Sequence, residues 1–183
     1  MAFKEGLKQA EKAYNQFAEV DSLFAKTVTE YFIFTWQWWF GLALFIVPWI
    51  IWFIFRDRDR TAQLLLGGLL TIILALTIDL SALSLDLWSY PMIMVPVSPF
   101  VFLPYHFSLA PVGIMFALQI KPKMNSLLKG IIFSAIAAFG GMNFFHAIGF
   151  YNPKNWSTLY DFIIFLFLYY AAYLIAKIGE RQH

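Results

Sequence analysis

The sequence predicts an all-α integral membrane protein, and three observations lead there. Of 183 residues, 61% are hydrophobic and only 13% charged, whereas a soluble domain stands nearer half apolar and a quarter charged. Apolar runs of about 20 residues, long enough to cross a bilayer as helix, recur along the chain. Tryptophans bracket the first of these runs, as expected of rings that settle at the two membrane interfaces.

Five spans are expected, at about 36–55, 61–82, 103–120, 127–150 and 159–178, forming a transmembrane domain over residues 35–180. The first, "WQWWFGLALFIVPWIIWFIF", contains Pro48, which removes one backbone hydrogen bond and predicts a kink. "RDRDR" (Arg56 to Arg60) stops it and meets anionic headgroups. The second span carries Asp79. The third ends at "KPK", and the fourth bears Gly130, Ser134 and Ala138 at intervals of four, a small-residue stripe that lets another helix approach closely. The fifth is aromatic-rich and is closed by "GERQH".

Residues 1–34 read differently. Phe3, Leu7, Ala10, Tyr14, Phe17, Leu23 and Phe24 recur at near-helical spacing with charges between them. This predicts an amphipathic helix lying on the bilayer surface or against a partner. The opening segment lacks the apolar core and small-residue cleavage site of a signal peptide.

The Lys and Arg residues orient the chain. Three arginines follow the first span, Lys121, Lys123 and Lys129 flank the third loop, and Lys177 and Arg181 close the chain, while the 85–103 connection has neither Lys nor Arg. The positive-inside rule then predicts a cell-membrane protein with its N-terminus outside and its C-terminus cytoplasmic. Lys4, Lys8, Lys12 and Lys26 pull the other way, offset by distance and by five accompanying acids.

The stretch "LDLWSYPMIMVPVSPFVFLPYHFSLAPV", Leu85 to Val112, holds five of the eight prolines. Pro91, Pro96, Pro99 and Pro104 each lack an N–H and push the preceding residue toward extended backbone. Broken helix is tolerated at membrane depth only where protein or a water-filled cavity surrounds it. The segment is therefore expected to lie at the outer interface or to re-enter shallowly, roofing the bundle and anchored by Trp88, Tyr90 and Tyr105.

The unusual polar residues gather at the same level. Asp79 lies near the outer end of the second span, and Asp86 shares its face if the helix continues. His106 opens the third span, and Asn143 and His146 share a face of the fourth. An acid in the membrane costs about 2.5–3.5 kcal/mol on insertion scales and marks a functional site by default. Asp79, Asp86, Trp88, Tyr90, Tyr105, His106, Asn143 and His146 form the expected ligand-binding set. Against this reading, Asp86 fits interfacial water and each histidine fits a hydrogen-bonded packing role. Two histidines and two carboxylates are donors a divalent metal accepts, but no metal-binding motif spaces them, and no metal is assigned. Asp161 reads as a first-turn acid favouring the helix dipole. Cysteine is absent, which excludes disulfides, thiolate sites and cysteine nucleophiles. Net charge of +2 gives no reason to expect nucleic acid. No GxSxG, P-loop or GxGxxG motif is present.

"FIVPWIIWF", "LDLWSYP", "LPYHFSLAPVGIMF" and "GFYNPKNWSTLYDF" resemble the signature of an uncharacterised family of small multi-pass membrane proteins found in Gram-positive endospore formers. The likeness covers about Trp36 to Leu174 and is most specific in the WSYP and PY core. It implies about five helices and no established activity or cofactor. The family pattern often has acids where His106 and Asn143 stand here, so a carboxylate-based role does not carry over at those two positions.

Three functions compete. The leading one is a non-enzymatic protein, a sensor, carrier or accessory subunit, with an outward-side polar pocket for a small ligand, lipid headgroup or ion. The second is a small membrane enzyme acting on lipid or isoprenoid substrates, with Asp79, Asp86, His106 and His146 as acid/base groups or metal ligands. The third is a structural subunit, resting on the small-residue stripe and the amphipathic tail. A homo-oligomer or membrane-protein partner is expected under all three, because five helices make a thin bundle.

Overall fold

The computed structural model describes residues 2–96 and 100–180. Pro99 of the expected roof and Arg181 of the basic tail lie outside the described residues. Among those described there is no β-strand, and four helices are long and apolar enough to cross a membrane. The protein is an all-α, multi-pass membrane protein.

Helix α1 (Ala2–Thr27) runs into a π-helical turn at Val28–Phe32. The spans α2 (Trp36–Phe55) and α3 (Thr61–Ser84) follow. Thr35 begins α2 by accepting from Trp38 N, which supplies one of the partners that a first helical turn lacks. After the proline-rich connection, a π-helical segment, Tyr105–Leu109, leads into α4 (Ala110–Gln119). Asn125 caps α5 (Ser126–Ala135), accepting from Leu127 N and Leu128 N. A π-helical segment at Ile136–Met142 continues α5 into α6 (Asn143–Ala147), and α7 (Thr158–Glu180) closes the fold.

The third expected span, 103–120, is helical over residues 103–119, yet it is shorter than the four that satisfy the length of a span. Its surroundings supply the reason. Tyr105, His106, Ala110, Val112, Ile114, Met115 and Leu118 are all buried, and α4 packs against α2, α3, α5 and α7. A helix packed on most sides by its neighbours has little lipid-facing length to match to the bilayer. Pro111 has no N–H for the Phe107 carbonyl one turn back, and Trp49 Nε1 on α2 donates to that carbonyl at 2.7 Å.

The small-residue stripe is used within the chain. Gly130, Ser134 and Ala138 are buried, and α7 packs over them. A Cβ on Gly130 would stand 2.7 Å from Tyr169 Cδ1, so only glycine admits that ring. The stripe therefore gives no support to an external partner.

Over its described residues, the connection 85–104 does not continue α3 and packs inward. Its Trp88, Tyr90, Met92, Met94 and Phe102 belong to the apolar core. Trp38 Nε1 donates to the Met94 carbonyl at 3.0 Å, and a Cβ on Gly41 would lie 2.6 Å from Met94 Sδ. Backbone that broken helix leaves unpaired is thus met by protein. The second clasp is a two-residue bridge, with Ser89 N donating to Asn152 O at 3.0 Å and Asn152 N to Ser89 O at 2.9 Å.

Gly130→Leu is expected to lower stability by about 1–3 kcal/mol, because the added side chain must displace Tyr169. Gly140→Ala, whose Cβ meets nothing within 4 Å, is expected to be neutral. Thermal unfolding of both variants in detergent makes the comparison.

Candidate functional site

Asp79 sits in the last turns of α3 with only 3% of its surface exposed. A carboxylate buried so far needs donors. Tyr90 Oη donates to Asp79 Oδ2 at 2.7 Å. His106 Nε2 stands 2.7 Å from the same oxygen, in the approach of an ion pair rather than an aligned hydrogen bond.

The proton inventory follows from the other ring nitrogen. His106 Nδ1 lies 3.0 Å from the Phe102 carbonyl, which only accepts, so Nδ1 carries a proton and donates. Nε2 then faces the carboxyl group either as imidazolium beside carboxylate or as neutral imidazole beside a protonated acid. Both arrangements are net neutral, the condition that makes a charge-bearing pair tolerable in a low-dielectric interior.

A second buried carboxylate faces this one across the connecting loops. Asp161, in the first turn of α7, is only 6% exposed. It accepts from Trp156 Nε1 at 3.0 Å and from Tyr151 Oη at 3.4 Å. The expectation that Asp161 serves only the helix dipole is therefore incomplete. The rings of Tyr90 and Tyr151 are 5.9 Å apart, each aimed at its own acid. The Ser89–Asn152 bridge lies immediately before Tyr90 and after Tyr151, so one backbone clasp sets both phenols. Burial, and next the Asp79 charge, hold the Tyr90 phenol well above its ordinary ionisation range. Burial, and next Asp161, do the same for Tyr151. Both remain donors at any physiological pH.

The other expected residues divide. Tyr105 belongs to the site, its ring 4.9 Å from the His106 ring and 6.4 Å from that of Tyr90. Trp88 is buried against Trp156, with ring centroids 4.9 Å apart. Asp86 does not share the face of Asp79, because α3 ends at Ser84 and Asp86 turns out with φ 58°. It pairs with Lys154 at the exposed rim. His146 is exposed, and its Nδ1 donates to the Tyr151 carbonyl at 3.1 Å. It holds the loop and does not join Asp79 and His106. Asn143 is exposed, donating to Phe139 O at 3.0 Å and accepting from Thr158 Oγ1 at 3.4 Å. Among the described residues no three His, Asp or Glu side chains converge as a metal-binding group. The sequence does hold a signal for the Asp161 cluster: a buried-type donor, tryptophan, five residues before an acid that opens a span.

Above the site lies a cavity of about 580 Å³, walled on one side by Phe17, Val20 and Phe24 of α1 and on the other by Trp88, Tyr90 and Pro91. The Asp86–Lys154 pair borders it. Phe17 stacks on Phe100 at 5.6 Å, so the amphipathic helix rests on the proline-rich connection. Tyr90 is the link, a residue that lines the cavity and whose hydroxyl donates to Asp79. Comparison with family models, curated proteins and solved structures finds no match.

Tyr90→Phe is expected to destabilise by about 1–3 kcal/mol, the cost of leaving a buried acceptor without its donor. Tyr151→Phe is expected to cost less, since its contact is long and Asp161 keeps Trp156. Thermal unfolding ranks the two. Spectrophotometric titration to about pH 11 should give the same tyrosinate absorbance in each variant as in the native protein, because neither phenol ionises there. A fall in either variant would show that its phenol does ionise.

Proposed function

We infer that this protein is a non-enzymatic membrane receptor or carrier for a small amphipathic ligand, bound between α1 and the proline-rich connection. The observation that carries this reading is the cavity of about 580 Å³, one of whose lining residues, Tyr90, is hydrogen-bonded to Asp79 of the buried Asp79–His106 pair. The lining is mainly apolar, from Phe17, Val20, Phe24 and Trp88, with a charged pair at its rim. Such a site takes an apolar body and a polar head. Trp88 Nε1 is buried without a hydrogen-bond partner, a donor for the ligand's head.

The loop charges support an outward-facing cavity. Arg56, Arg58, Arg60, Lys121 and Lys123 crowd the opposite end, while Lys154 at the cavity end is paired with Asp86. The chain has no cysteine, so single-cysteine labelling reads topology directly. Asn155→Cys is expected to react with an impermeant reagent on intact cells, and Asp59→Cys only after permeabilisation.

Ala13→Trp and Val20→Trp fill the cavity from α1, a helix with no buried residue, and should leave the bundle folded. Mass spectrometry of organic extracts from purified protein is expected to find an amphiphile enriched with the native chain and lost from both variants. Identical extracts would sink the reading.

A further inference from the structure

At the opposite end of the bundle the structure holds a second cavity, of about 290 Å³, between the start of α5, the end of α7 and the loops after α2 and α4. Lys129 and Lys177 line it from two different helices, with Arg60 beside them, and among the described residues no carboxylate lines it. Two lysines facing one cavity repel unless an anion lies between them. Lys129 Nζ spends one of its donors on the Leu118 carbonyl, at 3.0 Å, which fixes the head and leaves its other N–H bonds unassigned. Lys177 rides over the Tyr173 ring at 5.8 Å, so its ammonium is held at the cavity as well.

An independent observation points the same way. Tyr169 lines this cavity and is fully buried, and its hydroxyl has no hydrogen-bond partner. A buried phenol without a partner is costly to the fold unless something else supplies one. Ser126, the first residue of α5, also lines the cavity, which places the positive end of a long helix at the same point.

We propose that this cavity is a binding site for an anionic phosphate group, held by Lys129, Lys177 and the Tyr169 hydroxyl. The cavity lies at the helix ends, the depth at which phospholipid headgroups sit, and basic pockets between transmembrane helices take such groups. A lipid headgroup and a free phosphate share this chemistry. The site is separate from the one beneath α1 and does not depend on its reading.

Native mass spectrometry of the full-length protein in detergent, titrated with phosphatidylglycerol or phosphatidylcholine, tests the proposal. Phosphatidylglycerol should bind at least about tenfold more tightly, and Lys177→Gln and Lys129→Gln should each remove about tenfold of that affinity. Lys177 is exposed, so its variant keeps the test alive should Lys129→Gln fail to fold. Tyr169→Phe is the sharpest arm: it removes a hydroxyl that has no partner in the protein, so the melting temperature should not fall while phosphatidylglycerol affinity does. Competition by inorganic phosphate would identify the free anion as the natural source, and its failure to compete would identify the lipid. Equal binding of both lipids, or native-like phosphatidylglycerol binding by the Lys177→Gln and Tyr169→Phe variants, would overturn the proposal.

Discussion

Burying the Asp79 carboxyl group is the constraint on which the proline-rich end depends. An acid near the end of a transmembrane helix has no water to fall back on, so its partners must come from protein. Tyr90 and His106 supply them from the two ends of one connection. To deliver both, the chain between α3 and α4 has to turn back into the bundle. The prolines make that possible by preventing helix, and the aromatic residues among them provide the apolar surface that makes the inward path favourable.

The two buried carboxylates are organised as a pair of mirrored devices. Each rises from a spanning helix, α3 or α7, and each is met by a tyrosine from the loop next to it. The Ser89–Asn152 bridge couples these loops. Movement of one loop would therefore be felt by both acids, since the clasp is only one residue removed from either phenol. With α1 lying over the same loops through Phe17 and Phe100, an occupant of the cavity beneath α1 would press on Tyr90, and through it on Asp79. Direct contact would carry that influence, with no need for a long-range network.

Charge divides the two ends. At the proline-rich end Asp79 is paired with His106 and Asp86 with Lys154, while Asp161 is met by the neutral donors Trp156 and Tyr151. At the other, Lys129 and Lys177 face one cavity together. Matched charges fix a fold, whereas like charges around an open cavity ask for a ligand. That contrast separates the two ends physically, quite apart from any assignment of sides.

By itself the sequence determined the class and the limits of some spans, and it singled out Asp79, Tyr90, Tyr105 and His106. Span limits at Trp36, Phe55 and Thr61 are legible because hydropathy and the start and stop signals are local. Asp79 stood out because an acid in an apolar run is anomalous wherever it points. Only the tertiary structure decided which polar residues meet. His106 reached Asp79 and His146 did not, although both lie at the same level of neighbouring spans. The π-helical segments at Tyr105–Leu109 and Ile136–Met142 rotate the faces of α4 and α6 away from the register that 3.6 residues per turn would give. The meeting of Asp161 with Tyr151 also depends on a loop whose shape is held by a partner some sixty residues earlier, Ser89. The sheathing of α4 and the placement of α1 over the roof are likewise set by contacts between distant segments. Periodicity reports the face of one helix; what that face meets is fixed only when the other helices pack against it.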